Sequence, residues 1–486
     1  MLYCSVVLYI EGEWILNTRT RFPWREFLKS LAALAIPVAL QNLLATTSSM
    51  IDTMMIAPLG ETSVGAVGLC AQFSSLIFSS YWGFIGGGML FFAQYWGAED
   101  HKGIDRTFGI TVVCTMTMAA IGMLCAVAFP EFIMGVYTDK AAIQEIGVKY
   151  LRIAGFSYPL QIFAAVMSAV LRSTERVRVP LYASIAAVAT NIFLNWILIH
   201  GKFGIPAMGV RGAALATVIG QVVFVAVMFI VAGIQKFPYL FHFVGWFRWN
   251  KAFLKEFFKR CFPIICNEAL IGVGMMVINM VLGRQSEAAI AAIAVFRTLE
   301  GLVIGFFAGF SNAASVLVGK CVGAGELRIA YERAKRLVFL CGIIIFALCL
   351  ILYAVHNPLL TVMSLSGESL RIGSGMLLIY CIAAVIRMCN WTQNDTYRSA
   401  GDAATGTILE ISFMYLMLIP CVCIAGLVLH LPVLAVFACC YIDEPIRFVL
   451  MQRHMYSGKW IRPVTEEGKS ALPAFKADLA EGKNKG

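Results

Sequence analysis

The chain has 486 residues, of which 60% are hydrophobic and 14% charged, with a mean hydropathy of +0.80. Soluble domains carry roughly a quarter charged residues, so a chain this apolar cannot hide its surface in one aqueous core. An integral membrane protein is expected. The formal net charge of +10 then calls for no nucleic acid, because basic residues gather on the inner side of membrane proteins.

In chain order, residues 1–21 come first. Leu2–Ile10 is apolar but short, lacks a basic leader and runs into Glu11 and Glu13. That fits a signal peptide poorly and leaves an interfacial segment or a misassigned start. A first lobe over 22–240 holds six apolar runs: Leu31–Met55, Val64–Phe92, Phe108–Phe129, Lys149–Leu171, Leu181–His200 and Ala213–Ile234. A linker follows at 241–261. Its Phe253, Leu254, Phe257 and Phe258 alternate with Lys251, Lys255, Lys259 and Arg260, which predicts an amphipathic helix on the inner membrane face. A second lobe over 262–460 holds six more runs: Phe262–Gly283, Ala289–Val318, Leu337–Val355, Leu377–Ser399, Thr407–Leu429 and Val433–Met451. Each run is near or above the ~20 residues that cross a bilayer, and none shows the ~10-residue alternation of a membrane barrel strand. The tail 461–486 is polar and predicted to be loose.

The two lobes repeat one another at a fixed shift. Pro37 pairs with Pro263, Gly97-Ala98 with Gly323-Ala324, and Arg172-Ser173 with Arg398-Ser399, where 263 − 37 = 323 − 97 = 398 − 172 = 226. Glu61 and Glu287, and Gly83 and Gly309, obey the same shift. Six spans per half is an even number, so both halves start on the same side. The fold class is therefore all-α, with twelve transmembrane helices in two parallel repeats. Such duplications build secondary transporters, with the working site between the halves. With both termini placed in the cytoplasm, 29 of the 38 basic residues lie inside. Seven lie outside: Lys140, Lys149, Arg152, Lys202, Arg211, Arg284 and Arg371. Anionic lipid is the expected contact of the inner set.

Several strings go further. Ile51-Asp52-Thr53-Met54-Met55 ends the first span, and Ala93-Gln94-Tyr95-Trp96-Gly97-Ala98 closes the second. Leu171-Arg172-Ser173 precedes Pro180, Asn191-Ile192-Phe193-Leu194-Asn195 fills the fifth, and Gly204-Ile205-Pro206 leads to Gly212-Ala213-Ala214. The second half echoes them with Val322-Gly323-Ala324-Gly325-Glu326 and Tyr397-Arg398-Ser399-Ala400-Gly401-Asp402. In order and spacing, residues ~22–460 resemble the multidrug and toxic compound extrusion (MATE) family. The resemblance implies cation-coupled antiport. Two six-helix lobes would form a V around a central cavity, and organic cations would leave in exchange for protons or sodium.

A charge in hydrocarbon is costly, so ionisable residues within spans are functional candidates. Six are assigned: Asp52, Glu268, Arg297, Glu300, Arg387 and Asp395. Asp52 sits where the family has its first-helix Asp. It is read as a coupling carboxylate that switches protonation, against a helix-end residue reaching outer water. Glu268, five residues after Pro263, is the second coupling candidate, and Asp395 the third, with simple neutralisation of Arg398 as its alternative. Arg297 and Glu300 are three apart and can pair, as a structural pair or as a contact that Glu300 leaves for a cationic substrate. Arg387, Asn390, Asn394 and Arg398 form a polar stripe, and Met275 and Asn279 continue the face of Glu268. Arg387 stands where sodium-binding relatives keep an acid, which favours protons. Asn191 and Asn195, one turn apart, are read as interhelical glue, and Gly83, Gly86, Gly87 and Gly88 as close-approach positions. Met167, Met275 and Met276 are possible adaptable wall residues.

The cysteines show no metal-ligand spacing, and no cofactor or metal is expected beyond the coupling ion. The partners expected are small organic cations, protons or sodium, and lipid. A monomer in the inner membrane is expected. A lipid-linked oligosaccharide flippase of the same superfamily is the nearest alternative, although it would need more basic residues in the cavity. A receptor or scaffold without transport fits the duplicated lobes less well, and an enzyme lacks any nucleophile–base pair or phosphate loop.

Overall fold

The computed structural model describes residues 22–484 except Lys236, Pro238, Leu240 and Ser364, so segment 1–21 lies outside the described residues. These residues form helices and no strands. The first half contains α1 (Trp24–Ile56), α2 (Glu61–Gly97), α3 (His101–Ala128), α4 (Pro130–Tyr137), α5 (Ala141–Ala154), α6 (Ser157–Ser173), α7 (Arg178–His200) and α8 (Val210–Ile234). After the short α9 (Phe243–Trp246), the second half contains α10 (Lys251–Leu282), α11 (Glu287–Gly323), α12 (Leu327–Ala354), α13 (His356–Val362) and α14 (Gly367–Ser399). It continues with α15 (Ala403–Val428), α16 (Val433–Cys439) and α17 (Glu444–Ser457), and α18 (Glu466–Asn484) ends the described chain.

The duplication governs helix ends to the residue. Helices α2 and α11 are both 37 residues long, with 287 − 61 = 226. Helices α3 and α12 are both 28 residues long, with 327 − 101 = 226. The short α4 and α13 begin at 130 and 356, again 226 apart. The symmetry then breaks at informative places. The stretch α5–α6 is bent by 49°, whereas its counterpart α14 runs unbroken through 33 residues. Among the described residues, ten helices are long and apolar enough to span a membrane, and eleven if α5–α6 counts as one span.

The twelfth predicted span, Val433–Met451, is not one helix. It stops at Cys439 and restarts at Glu444, with Pro445 in the first turn of α17. There a missing N–H costs nothing, whereas inside a continuous helix it would remove a bond. The predicted surface helix of the linker is also corrected. Lys251–Arg260 is the start of α10, continuous through Pro263. Its Phe253 and Phe257 are buried against Phe91 of α2, so protein rather than lipid covers that part of its apolar face, while Phe258 stays exposed. The tail is not loose either: α18 buries Phe475 against Tyr331 of α12, and Arg328 pairs with Asp478 at 2.9 Å.

The halves meet through glycines in two-fold-related pairs. A Cβ at Gly83 would lie 2.6 Å from Ile265 Cα, and one at Gly309 would lie 2.7 Å from Ala39 N, where 265 − 39 = 226. A Cβ at Gly97 would fall on the Lys320 carbonyl and one at Gly323 on the Gln94 carbonyl, where 320 − 94 = 226. Lipid tails are as apolar as Leu, so helices there associate by close packing of small residues. These contacts gather towards the end of the bundle where α1 and α10 begin, called the base below. Towards the opposite end, Gly60, Gly68, Gly272 and Gly301 have nothing within 4 Å of a notional Cβ.

Gly97→Ala and Gly323→Ala should each lower thermal stability in detergent by about 1–3 kcal/mol through overpacking. Gly272→Ala should be neutral or slightly stabilising, because it adds helix propensity in open space. Equal melting temperatures for all three would show that the base is not close-packed.

Candidate functional site

Two polar centres lie within the helices. In the first half, α1 packs on α7 and Asp52 faces Asn195, whose Nδ2 donates to Asp52 Oδ1 at 2.6 Å. The same Nδ2 lies 3.2 Å from Asn191 Oδ1. One helical turn separates the two asparagines, so they share a face. Asn191 and Asn195 are buried and Asp52 is half-buried. Asn195 thus bonds across to the coupling candidate itself, whereas the contact of Asn191 is to Asn195 on its own helix. Arg172 is tied to the same helix lower down, donating to Gln41 Oε1 at 2.6 Å.

The second half is built differently. Glu300 is 4% exposed. Its Oε2 accepts from Arg297 at 2.7 Å and its Oε1 from Arg387 at 2.8 Å. Arg297 also donates to Asn279 at 3.1 Å. Arg387 lies 3.9 Å from Glu444, which in turn accepts from Arg447 at 2.7 Å and from Asn390 at 2.7 Å. Arg447 lies 3.5 Å from Asp443 and 4.0 Å from Glu410. Glu410 accepts from Asn394 at 2.8 Å and from Asn267 at 3.2 Å. Nearer the base, Arg398 reaches Glu268 at 3.4 Å and Asp395 at 3.9 Å, and Ser311 donates to Asp395 at 2.6 Å. Six carboxylates thus surround four guanidinium groups across α10, α11, α14, α15 and the α16–α17 break. Burying ions is tolerable only with such pairing.

Among the sequence-derived candidates, Glu300, Arg297, Arg387 and Asn279 come together. Asn390 and Asn394 join them through Glu444 and Glu410. Glu268 and Asp395 share Arg398, and Asp52 lies apart in the other half. Met275 packs with Ile271 and Tyr415 against the small cluster around Ile278 and Val436. Met167 is fully buried in the first half, while Met276 is 70% exposed.

The assignment of only six ionisable residues to the spans is corrected. Glu410 lies inside the predicted run Thr407–Leu429, and Asp443, Glu444 and Arg447 lie inside Val433–Met451. All four belong to the cluster. Their charge within an apolar run was the available signal. The Arg447 side chain is 12% exposed and ion-paired, so it belongs to the buried cluster and not to the inner basic surface.

Outside the spans, Asp402 caps α15 at the base. It accepts from Thr405 Oγ1 at 2.8 Å and bonds His454 Nε2 at 2.9 Å, with Arg462 at 3.1 Å. Burial alone would raise its carboxyl. The His454 and Thr405 bonds and the Arg462 charge outweigh burial and hold it below the usual carboxylate range.

Comparison with known proteins places this architecture. The MatE family model matches residues 37–197 and again 263–423, offset by 263 − 37 = 226. The chain belongs to the MatE family. It is similar to the "Uncharacterized transporter YisQ" of Bacillus subtilis (strain 168), with 21% identity over 443 residues, 89% of this chain and 95% of that protein. It is also similar to a "Probable multidrug resistance protein NorM" of Thermotoga maritima, with 22% identity over 442 residues, 90% of this chain and 93% of that one. Among solved structures, "Outward-facing conformation of a multidrug resistance MATE family transporter of the MOP superfamily" superposes with a TM-score of 0.78 at 18% identity, covering 89% of this chain and 96% of the other. The MatE chain described here is a multi-pass membrane transporter of a multidrug efflux family, not an enzyme.

Glu300→Gln should cost about 3–5 kcal/mol of stability, because it leaves Arg297 and Arg387 facing a neutral group in a buried site. Thermal unfolding in detergent tests this, and an unchanged melting temperature would mean that water already screens the cluster. Asp402→Asn should cost on the order of 2 kcal/mol. The Asp402 carboxyl is held low in the folded state, so its contribution is complete above the unfolded value of 3.8 and fades as pH falls below it. Wild type and Asp402→Asn should therefore converge in stability at strongly acidic pH.

Proposed function

We propose that this chain exports organic cations in exchange for protons, with Asp52 as the principal proton carrier. One observation carries the reading. Among the described carboxylates of the two polar centres, Asp52 alone has no cationic partner; its recorded bond is to Asn195. Each of the six carboxylates of the second half lies within 4.0 Å of an arginine. An isolated carboxylate in a low-dielectric site gains most from binding a proton. The neighbouring amide can serve either protonation state, donating to the anion or accepting from the acid.

The two halves, residues 22–240 and 262–460, act as lobes that rock about their shared contacts, which is the usual course of alternating access. The basic-residue asymmetry supports a base and both termini on the cytoplasmic side of a plasma-membrane protein. Built-in guanidinium groups occupy the second half, and this disfavours a sodium site of three free carboxylates. Glu268 and Asp395 share Arg398 with a formal charge of −1 and form the reserve coupling site. A membrane potential supplies about 2.3 kcal/mol per charge per 100 mV, so one net charge carried inward per cycle at about 150 mV sustains a gradient of roughly a few hundredfold.

Efflux of an ethidium-type cation is the test, run with and without sodium and with a protonophore, at matched expression. Wild-type efflux should be independent of sodium and collapse with the protonophore. Asp52→Asn should stay folded, keep substrate binding and lose efflux by about tenfold or more. Proton-driven efflux by Asp52→Asn at the wild-type rate would move coupling to Glu268 and Asp395. Sodium-dependent efflux would overturn the choice of ion.

A further inference from the structure

The closed base is held by two latches at positions related by the repeat, and their chemistry differs. Residue 94 of α2 and residue 320 of α11 are 226 apart, and each reaches across to the other half. The Gln94 side chain is completely buried, and its Nε2 donates to the Ser399 carbonyl at the end of α14 at 2.8 Å. Lys320 Nζ pairs with Glu175, just past the end of α6, at 3.0 and 3.1 Å. Trp96 Nε1 donates to the same Glu175 at 3.1 Å. Ser399 corresponds to Ser173, two residues before Glu175, since 399 − 173 = 226. One latch is a neutral amide and the other is an ion pair.

A third segment engages only the neutral latch. The backbone N–H of Val464 donates to Gln94 Oε1 at 2.8 Å, so both ends of the amide are used. Thr465 Oγ1 donates to the Gly323 carbonyl at 2.8 Å. The Arg462 N–H donates to the Ala400 carbonyl at 2.8 Å, and Arg260 donates to the Gly401 and Arg462 carbonyls at 2.5 and 3.1 Å. Residues 462–465 therefore bridge α2 of the first half to α11 and α14 of the second. Trp460 on one side, fully buried, and Phe475 of α18 on the other anchor this stretch to the second half.

We propose that Gln94 is the positioning residue that sets the transport equilibrium, holding the base shut in the outward-open form, and that residues 462–465 form a strap that keeps Gln94 in register. The proposal rests on the transport reading above. The base must part for substrate to enter from the cytoplasm. Each cycle must then break the Gln94–Ser399 and Gln94–Val464 bonds, because Thr465, Arg462, Trp460 and Phe475 hold the strap to the second half. Each hydrogen bond removed should shift the ratio of closed to open base about fivefold. The ion-pair latch is partly exposed and should weaken with salt, whereas the amide latch should not.

Hydrogen exchange of the full-length protein in detergent reads this directly, without substrate or coupling ion. In Gln94→Leu, Val464→Pro and the milder Thr465→Val, exchange should rise about fivefold or more in peptides from both halves, covering residues 90–98 and 318–324. It should stay as wild type at the far end, around residues 60–68, and the melting temperature of Thr465→Val should stay close to that of wild type. A rise confined to residues 460–484, or no rise in Thr465→Val, would overturn the strap, leaving α18 as packing on its own half. Because the readout is opening of the base, loss of the proton reading in the efflux assay would leave this result standing.

Discussion

A carboxylate inside a bilayer needs a counter-charge or a proton, and this requirement shapes the two halves in opposite ways. In the second half, four arginines meet six carboxylates, so the charges largely neutralise one another and the helices that carry them are locked together. Removing one partner there exposes another buried ion, a strongly destabilising change. In the first half, Asp52 meets the amide of Asn195 and, among the described residues, no cation. One repeat is a cross-linked body, and the other carries a carboxylate without a counter-charge among the described residues.

The divergence is notable because the backbone scarcely diverged. Helices α2 and α11, and α3 and α12, agree in length and in relative position to the residue. One of the departures falls where the charges are. The twelfth span breaks at Cys440–Asp443, and the break places Asp443 and Glu444 beside Arg447 and Arg387. A continuous helix would have carried Pro445 in its interior, at a cost of about 3 kcal/mol. The break avoids that cost and also offers free backbone ends to a polar cluster.

Much of this was legible in the sequence because a duplication constrains both copies at once. Pro37 and Pro263, Gly97 and Gly323, and Arg172 and Arg398 fixed the repeat, and the glycines proved to be the points of contact between the halves. Asp52 stood out because its neighbours are apolar or hydroxylic. What escaped was non-local. Glu410 and Arg447 sit in apolar runs like Asp52, yet their meaning lies in partners on other helices, which no spacing rule supplies. The tail read as loose because its composition is polar, yet Phe475 packs on Tyr331 and the preceding Trp460 on Tyr397, both far away in the chain. The segment Lys251–Arg260 had the right amphipathic pattern, but periodicity alone does not tell a lipid surface from the flank of Phe91.

The same asymmetry reaches the base. Position 94 and position 320 occupy equivalent places, yet evolution of the two copies put an amide at one and an ammonium group at the other. Two ion pairs would make closure depend strongly on ionic strength, since exposed pairs are screened over about 8 Å in physiological salt. Two amides would dispense with the orienting field of a charge. With one of each, the ion pair steers the halves together and the buried amide fixes their register, bonded on one side to the opposite half and on the other to the strap. Opening then requires breaking a directional, desolvated contact as well as a screened one. Closure therefore rests on more than a contact that salt can weaken.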